Sequence, residues 1–142
     1  MMRPLLATVL LILLSSCGED TDLDTLVMIN YAEEFTLRVG QTAISPDSAT
    51  VQLIDIAHDS RCANGVDCLW EGEIAVALEG SHGGVILPMD IKHSPGQTER
   101  ATPNFVRFQV ELVAANPYPD IDENNGQIEI DDYRIILVLR EQ

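Results

Sequence analysis

Positive charge is scarce in this chain of 142 residues, which has 8 Lys and Arg against 23 Asp and Glu and a formal net charge of −15. A domain this acidic repels the phosphates of nucleic acids and the surfaces of anionic membranes. We therefore expect no nucleic acid among its partners. The acidity leaves three interpretations open, namely a solvated surface, a cationic partner or a bound cation.

Helical periodicity is also lacking, because no stretch repeats its apolar residues every three to four positions, and no internal repeat is present. Apolar and polar residues instead alternate in short runs bounded by turn-forming residues, a pattern typical of strands. The pattern predicts an all-β fold. We expect an antiparallel β-sandwich, immunoglobulin-like in architecture, with about six to eight strands, and a small β-barrel is the alternative.

The clearest strand pattern covers residues 70–79, in which Trp70, Ile74 and Val76 share one face and are predicted to point inward. A proline at position 88 predicts that the following strand, over residues 85–89, lies at a sheet edge. Further strands are predicted over residues 26–29 (an edge strand), 35–39, 50–57 (with a bulge near residues 53–54 or burial of both faces), 105–115 and 133–140 (a central strand).

The N-terminus has the composition of a signal peptide. One positive charge, Arg3, precedes an apolar run over residues 5–14, which is too short to cross a bilayer core of about 30 Å as a helix. The run ends in Leu-Ser-Ser-Cys, which resembles the lipobox of bacterial lipoproteins. The resemblance implies a signal peptide over residues 1–16 and acylation of Cys17. An ordinary secretory signal with an incidental cysteine is the alternative.

The same resemblance implies where the protein is located. Gly18 follows the cysteine, as in lipoproteins sent to an outer membrane, so we expect a lipid-anchored protein of the bacterial cell envelope, periplasmic or surface-exposed. Residues 17–34 contain the lipidated cysteine and are acidic, which predicts a flexible tether. The chain without residues 1–16 is long enough for one domain and too short for two, and we expect a single β-sandwich domain over residues 35–142.

Three cysteines are present. If Cys17 carries the lipid, Cys62 and Cys68 remain as an even pair in an oxidising compartment, and we expect a disulfide between them. The loop that it closes is short, so the entropic stabilisation is only about 2 to 2.5 kcal/mol. The main effect of the bond is then to fix the shape of the loop.

The stretch around these cysteines resembles the hallmark of a family of small bacterial lipoproteins and secreted proteins to which no activity is assigned. The hallmark reads roughly DSRCP, four residues, C, one residue, W, one residue, G. The positions that carry the resemblance are Asp59, Ser60, Arg61, Cys62, Cys68, Trp70 and Gly72, with Ala63 in place of the usual proline. The resemblance implies the fold class and the envelope location, and it implies no reaction.

Two residues of this stretch have predicted structural roles. Trp70 is expected to face inward and to pack on the disulfide, as a tryptophan does in immunoglobulin sandwiches. Arg61 is expected either to brace the loop by pairing with Asp59 or Asp67, or to offer a cationic contact to a partner.

Catalytic motifs are missing from the sequence. His58, Asp59 and Ser60 include the three residue types of a hydrolase triad, but adjacent residues cannot place nucleophile, base and orienting acid in one line of hydrogen bonds. The chain has no Gly-x-Ser-x-Gly elbow, and its three histidines lack the spacing of metal ligands. We therefore expect no enzyme. An unrecognised hydrolase is a distant alternative.

An acidic loop near the C-terminus is a candidate calcium site. Asp120, Asp122 and Asn124 occupy positions 1, 3 and 5 of an EF-hand-like pattern, and Asp131 occupies position 12. The pattern departs from an EF-hand, because its glycine, Gly126, is at position 7 and no helices are predicted beside it. The alternative interpretation is an acidic turn that leads into the last strand.

Taken together, these patterns predict a non-catalytic binding or interaction module held at the membrane by its lipid. The expected partner is an unknown envelope protein or glycan, contacted through Arg61, Asn64, Asp67 and Glu71. A calcium-binding structural or adhesion domain is the alternative function, and calcium is the one cofactor considered.

Overall fold

Alternating apolar residues form nine strands in the computed structural model, which describes residues 25–95 and 104–142. The signal peptide, Cys17 and the start of the tether lie outside the described residues. The strands are β1 (Leu26–Met28), β2 (Glu34–Leu37), β3 (Thr42–Ile44), β4 (Thr50–Asp59), β5 (Ile74–His82), β6 (Val85–His93), β7 (Asn104–Phe105), β8 (Phe108–Asn116) and β9 (Arg134–Glu141). Two 3-10 helices, Asn124–Gly126 and Ile130–Asp132, precede β9.

The strands form two sheets that pack face to face. Sheet A has the order β1-β3-β4-β5-β6, and sheet B has the order β2-β9-β8-β7. Neighbouring strands are antiparallel except for β1 and β3, which are parallel. The predicted β-sandwich is confirmed, and the sheets do not close into the barrel that was the alternative. Within the described part of the chain, no helix has the length and apolarity needed to cross a membrane.

The core lies between the sheets and consists of the inward-facing residues of both. Side chains alternate between the two faces of a strand, so every second residue enters the core and contributes burial of apolar surface. The largest fully buried side chains are Phe108, Leu37, Leu53, Ile74, Leu78, Ile91, Ile135, Leu137, Leu139, Val51 and Val76. β9 lies between β2 and β8, which confirms the predicted central position of the last strand.

The predicted irregularity of β4 is a β-bulge. Its pairing with β5 shifts between Leu53 and Asp55, so Ile54 is the extra residue. The alternative, burial of both faces, is wrong, because Ile54 is exposed and only Ile56 packs, half-buried, against the core. The bulged residue points to solvent because it has no partner in the neighbouring strand.

The edges of sheet A agree with the sequence patterns in part. β6 is an edge strand, as Pro88 predicts, but burial begins at Met89, and Val85, Ile86 and Leu87 are all exposed. Exposure of three consecutive side chains means that neither face of β6 is covered at this end of the sheet.

β1 forms the other edge of sheet A, as the pattern over residues 26–29 predicts. This strand pairs with β3, and Ile29 after it is buried in the core. The fold therefore includes residues of the segment predicted to be a tether, and it begins before the predicted domain boundary at Phe35.

β5 begins four residues later than predicted. The alternating pattern starts at Trp70, but the strand starts at Ile74. Gly72 lies between them with φ of +70°, a left-handed conformation that breaks the alternation of an extended strand. Trp70 therefore does not share the inward face of Ile74.

The sandwich has two ends that differ in construction. At the stapled end, defined by residues 59–73 and 115–133, long irregular segments leave β4 and β8. At the hairpin end, defined by residues 31, 45–49, 81–86 and 108, the connections are short turns. At each end a side chain connects the two sheets. Arg61 donates to the carbonyl of Ala115 at the stapled end, and His82 packs on Phe108 at the hairpin end.

Candidate functional site

A buried ion pair organises the stapled end. The guanidinium of Arg61 holds the carboxylate of Asp59 at two points, Nε to Oδ1 at 2.9 Å and Nη2 to Oδ2 at 2.6 Å. Only 3% of the Arg61 side chain and 9% of the Asp59 side chain are exposed. Two-point contacts between planar groups are the strongest form of this pair, and burial requires such pairing.

Arg61 also joins the two sheets. Its Nη1 donates to the carbonyl of Ala115 at 2.5 Å, and its Nη2 donates to the carbonyl of Pro117 at 3.1 Å. The guanidinium carbon lies 5.0 Å from the ring centroid of Tyr118, within cation–π range. These contacts connect the end of β4 in sheet A to the end of β8 in sheet B.

Tyr133 completes the cluster by donating its hydroxyl to Oδ2 of Asp59 at 3.0 Å. Burial raises the pKa of Tyr133 to about 12, and the negative charge and hydrogen bond of Asp59 act in the same direction. Burial also opposes the charged form of Asp59. The hydrogen bonds and charge of Arg61 outweigh that effect and keep the pKa of Asp59 below its ordinary value.

These findings settle two predictions about Arg61. Its predicted pairing with Asp59 is confirmed. The alternative prediction, a cationic contact for a partner, is wrong because the guanidinium is buried and donates to protein acceptors. A cavity of about 580 Å³ lies beside the cluster, and its polar lining includes Asp59, Arg61 and Tyr133, which already bond to one another.

The predicted disulfide between Cys62 and Cys68 is present. The loop that it closes is joined to the segment after β8 by two backbone hydrogen bonds, from Asn64 to the carbonyl of Pro119 at 2.8 Å and from Ile121 to the carbonyl of Asn64 at 3.1 Å. A Cβ added at Gly65 would lie 2.7 Å from a methyl group of Ile121, so the two segments are in direct contact.

Residues 71–73 lie against residues 60–62. The backbone of Cys62 donates to the carbonyl of Glu71 at 2.9 Å, and that of Ser60 donates to the carbonyl of Glu73 at 2.8 Å. Gly72 sits between these bonds, where an added Cβ would lie 1.8 Å from the carbonyl oxygen of Ser60. The motif glycine is therefore required by close backbone contact as well as by its positive φ.

Trp70 projects from this anchored segment into solvent. It is 73% exposed, and its neighbour Leu69 is 98% exposed. The expected packing of Trp70 on the disulfide is therefore wrong, and the physical reason is the left-handed turn at Gly72. Val66 and Ile121 are exposed on the same joined loops.

The predicted contact residues other than Arg61 are all at the surface of the stapled end. Asn64, Asp67 and Glu71 are exposed. Its backbone carbonyl aside, Glu71 has no partner within residues 25–95 and 104–142, where its carboxylate makes no hydrogen bond or ion pair. The carboxylate of the neighbouring Glu73 accepts from Nζ of Lys92 at 2.7 Å and lies 3.1 Å from Nε2 of His58.

His58, Asp59 and Ser60 include the three residue types of a hydrolase triad, but their side chains bind different partners. The ring of His58 faces Glu73, the carboxylate of Asp59 faces Arg61, and the hydroxyl of Ser60 donates to the backbone carbonyl of Glu73 at 3.0 Å. The three side chains therefore form no line of hydrogen bonds with one another.

The predicted calcium ligands lie in two separate local structures. Oδ1 of Asp120 accepts from the backbone N–H of Asp122 at 3.0 Å, and Asp131 lies in the second 3-10 helix. The side chain of Asn124 is outside the described part of the structure. Among the described residues, no three His, Cys, Asp or Glu side chains are grouped as metal ligands. Calcium binding stays a prediction.

A second polar cluster lies at the hairpin end. The hydroxyl of Tyr31 donates to the carboxylate of Asp47, which also accepts from the hydroxyl of the buried Ser45 at 2.7 Å. The ring of Tyr31 stacks on Phe108 at a centroid distance of 5.5 Å. Burial raises the pKa of Tyr31, and its hydrogen bond to Asp47 adds to the shift.

Sequence patterns missed Leu69, Tyr118 and Tyr133 as members of the stapled end. Tyr118 and Tyr133 come from a segment more than fifty residues away from Arg61, so no local spacing relates them. Leu69 has a usable signal, since it falls between Cys68 and Trp70 in a loop that the disulfide constrains.

No protein-family model, no curated protein and no solved structure matches this chain. The family resemblance of the cysteine motif therefore stays a prediction from the residues, and so does the lipobox.

Proposed function

We propose that this protein is a lipid-anchored, non-catalytic binding module of the bacterial cell envelope, and that the stapled end is its contact surface. The observation that carries the proposal is the exposure of Leu69 and Trp70 on an anchored loop. Tryptophan is among the residues most enriched at the energetic centres of protein interfaces, and adjoining exposed apolar side chains mark interaction sites.

Rigidity of the loop supports this role. The disulfide, the buried pair of Arg61 with Asp59, and the hydrogen bonds between Asn64 and the 117–121 segment hold the backbone before Trp70. Backbone hydrogen bonds from residues 60 and 62 hold residues 71–73 after it. A surface that is ordered before binding loses less conformational entropy when the partner arrives. The stapled end therefore combines anchoring with exposed contact residues.

The remaining polar groups of the stapled end favour a binding role over catalysis. Asp59, Arg61 and Tyr133 are bonded to one another, so their charges and protons serve the fold. Catalysis requires a nucleophile or base that is aimed at a substrate position. Acylation at Cys17, outside the described residues, would keep the module at a membrane, since two or three acyl chains give stable anchoring.

Site-specific photo-crosslinking in living cells tests the proposed surface. A benzoylphenylalanine placed at Leu69 should give a discrete cross-linked species. The matched control is the same substitution at Ile86, which is 61% exposed at the hairpin end and should give none. Equal cross-linking at both positions, or a folded and localised protein that cross-links at neither, would contradict the proposal.

A separate experiment tests the anchor. Cys17→Ser should abolish labelling by a fatty-acid analogue and release the protein from the membrane fraction. Retention of the label in this variant would sink the lipid-anchor part of the proposal and leave the contact surface untouched.

A further inference from the structure

A second cavity, of about 570 Å³, lies beside Trp70, and its lining includes Ser60, Glu71, Glu73 and Ser94. Ser60, Glu71 and Glu73 belong to the segments 60–62 and 71–73, whose backbone groups are hydrogen-bonded to each other. This part of the lining is therefore held in place, and Trp70 is also a lining residue. Its side chains offer an aromatic face and carboxylates.

One carboxylate of this cavity already binds basic side chains of the chain itself. Glu73 accepts from Lys92, and His58 is within hydrogen-bond distance of the same oxygen. The hydrogen bond and charge of Lys92 keep the pKa of Glu73 below its ordinary value. The carboxylate of Glu73 is therefore ionised and already paired with Lys92.

Glu71 carries the second carboxylate in the lining of this cavity. It is exposed, it is one residue from Trp70, and its carboxylate has no partner in the described ranges 25–95 and 104–142. A carboxylate next to an exposed indole suits a cationic side chain, because the cation can pair with the acid and lie over the ring. Arginine suits both contacts better than lysine because its guanidinium is planar.

The negative net charge of the whole chain favours a cationic partner. A net charge of −15 repels anionic lipids and nucleic acids, and it raises the local concentration of cationic molecules. A neutral glycan could stack on Trp70 but would gain nothing from this field. A polypeptide segment that carries arginine or lysine uses the indole, the carboxylate of Glu71 and the field together.

We propose that the cavity beside Trp70 binds an arginine or lysine side chain of a cationic polypeptide, with Glu71 as its ion-pair partner. The proposal rests on the proposed function of the stapled end and names the partner class for it.

The only tryptophan of the chain reports on this site, so its fluorescence can be followed directly. The full chain in neutral detergent is titrated with an N-acetylated, amidated tetra-arginine peptide, and in parallel with tetraglutamate and with cellotetraose. Saturable change is expected with tetra-arginine alone, and it should weaken as salt is added.

Two variants separate a site from general attraction between charges. Glu71→Gln should weaken tetra-arginine binding about threefold to fivefold. Glu34→Gln removes the same charge from β2 in the other sheet, and it should change the affinity by less than about twofold. Trp70→Leu, followed by calorimetry, should weaken binding about threefold to fivefold.

Equal affinities for the Glu71 and Glu34 variants would overturn the site, because the peptide would then sense only overall charge. A response to cellotetraose and none to tetra-arginine would overturn the partner class while the stapled end stays a contact surface. No response to any probe overturns the inference. Cross-linking at Leu69 then decides whether the proposed function fails with it.

Discussion

At each end of the sandwich a tyrosine hydroxyl donates to an aspartate, Tyr133 to Asp59 at the stapled end and Tyr31 to Asp47 at the hairpin end. The two pairs differ in what surrounds the carboxylate. Asp59 is buried and is held by an arginine, whereas Asp47 is exposed and accepts a further bond from Ser45. A buried carboxylate needs a charged partner, and an exposed one is stabilised by water.

The difference follows from the connections at each end. At the hairpin end short turns link neighbouring strands, so backbone hydrogen bonds of the turns hold the chain. At the stapled end two long segments must be held without regular strand pairing. The disulfide, Arg61 and Gly72 supply that support. The comparison predicts that substitutions at the stapled end destabilise more than their counterparts elsewhere.

Arg61→Ala should have the largest effect. It leaves the carboxylate of Asp59 buried without a counter-charge and removes a donor from the carbonyl of Ala115, so we expect a loss of about 3–5 kcal/mol in the free energy of unfolding. Chemical denaturation measures the loss. Arg107→Ala is the matched control, since it removes an arginine from an exposed pair with Glu141, and it should change stability by at most about 1 kcal/mol.

A loss for Arg61→Ala no greater than that for Arg107→Ala would contradict the structural role of the buried pair. It would also remove the main distinction between the two ends.

Gly72→Ala should come next, with a loss of roughly 2–4 kcal/mol from steric overlap and a strained left-handed backbone. Its added Cβ would meet the carbonyl oxygen of Ser60, so residues 70–73 must move. Gly83→Ala in the β5–β6 turn is the control, because Gly83 also has positive φ but has no atom within 4 Å of an added Cβ. Thermal unfolding of both variants separates overlap from strain, and equal losses would show that strain alone matters.

Tyr133→Phe should cost about 1–2 kcal/mol, because it removes a hydrogen bond to a buried carboxylate. Tyr31→Phe should have a smaller effect, since water can replace the lost donor at the exposed Asp47. Denaturant midpoints of the two variants test the comparison most directly. A larger loss for Tyr31→Phe would reverse the order of the two ends.

Alkaline pH should weaken the fold through the same tyrosine. The folded pKa of Tyr133, about 12, lies above the value of 10.0 for an unperturbed tyrosine. Its contribution is therefore fully present below pH 10 and is lost as the pH rises from 10 toward 12. Unfolding measured across this range should show a weaker pH dependence in Tyr133→Phe. An unchanged slope would show that another group titrates there.

Local patterns in the sequence were sufficient for most of the strands and for the disulfide, but they missed the short strands β3 and β7. Alternation of apolar residues predicts β5 and β8 because the backbone of a strand places successive side chains on opposite faces, whereas β9 is predicted as a central strand because it is apolar on nearly both faces. Cysteine counting predicts the disulfide between Cys62 and Cys68, because these two cysteines remain if Cys17 carries the lipid and an oxidising compartment favours their pairing. The bulge in β4 was also predicted from the sequence, because the alternation of apolar residues changes phase near residues 53–54.

Only the tertiary structure decided where the side chains of the cysteine motif point. Arg61 is buried because it meets carbonyls 54 and 56 residues away, and no local spacing carries that information. Trp70 is exposed because the left-handed backbone at Gly72 reorients the chain before β5 begins, and this turn is fixed by close contact with Ser60. The sequence alone thus determined most of the strands and the disulfide. Long-range contacts determined which residues of the motif are buried in the fold and which are exposed.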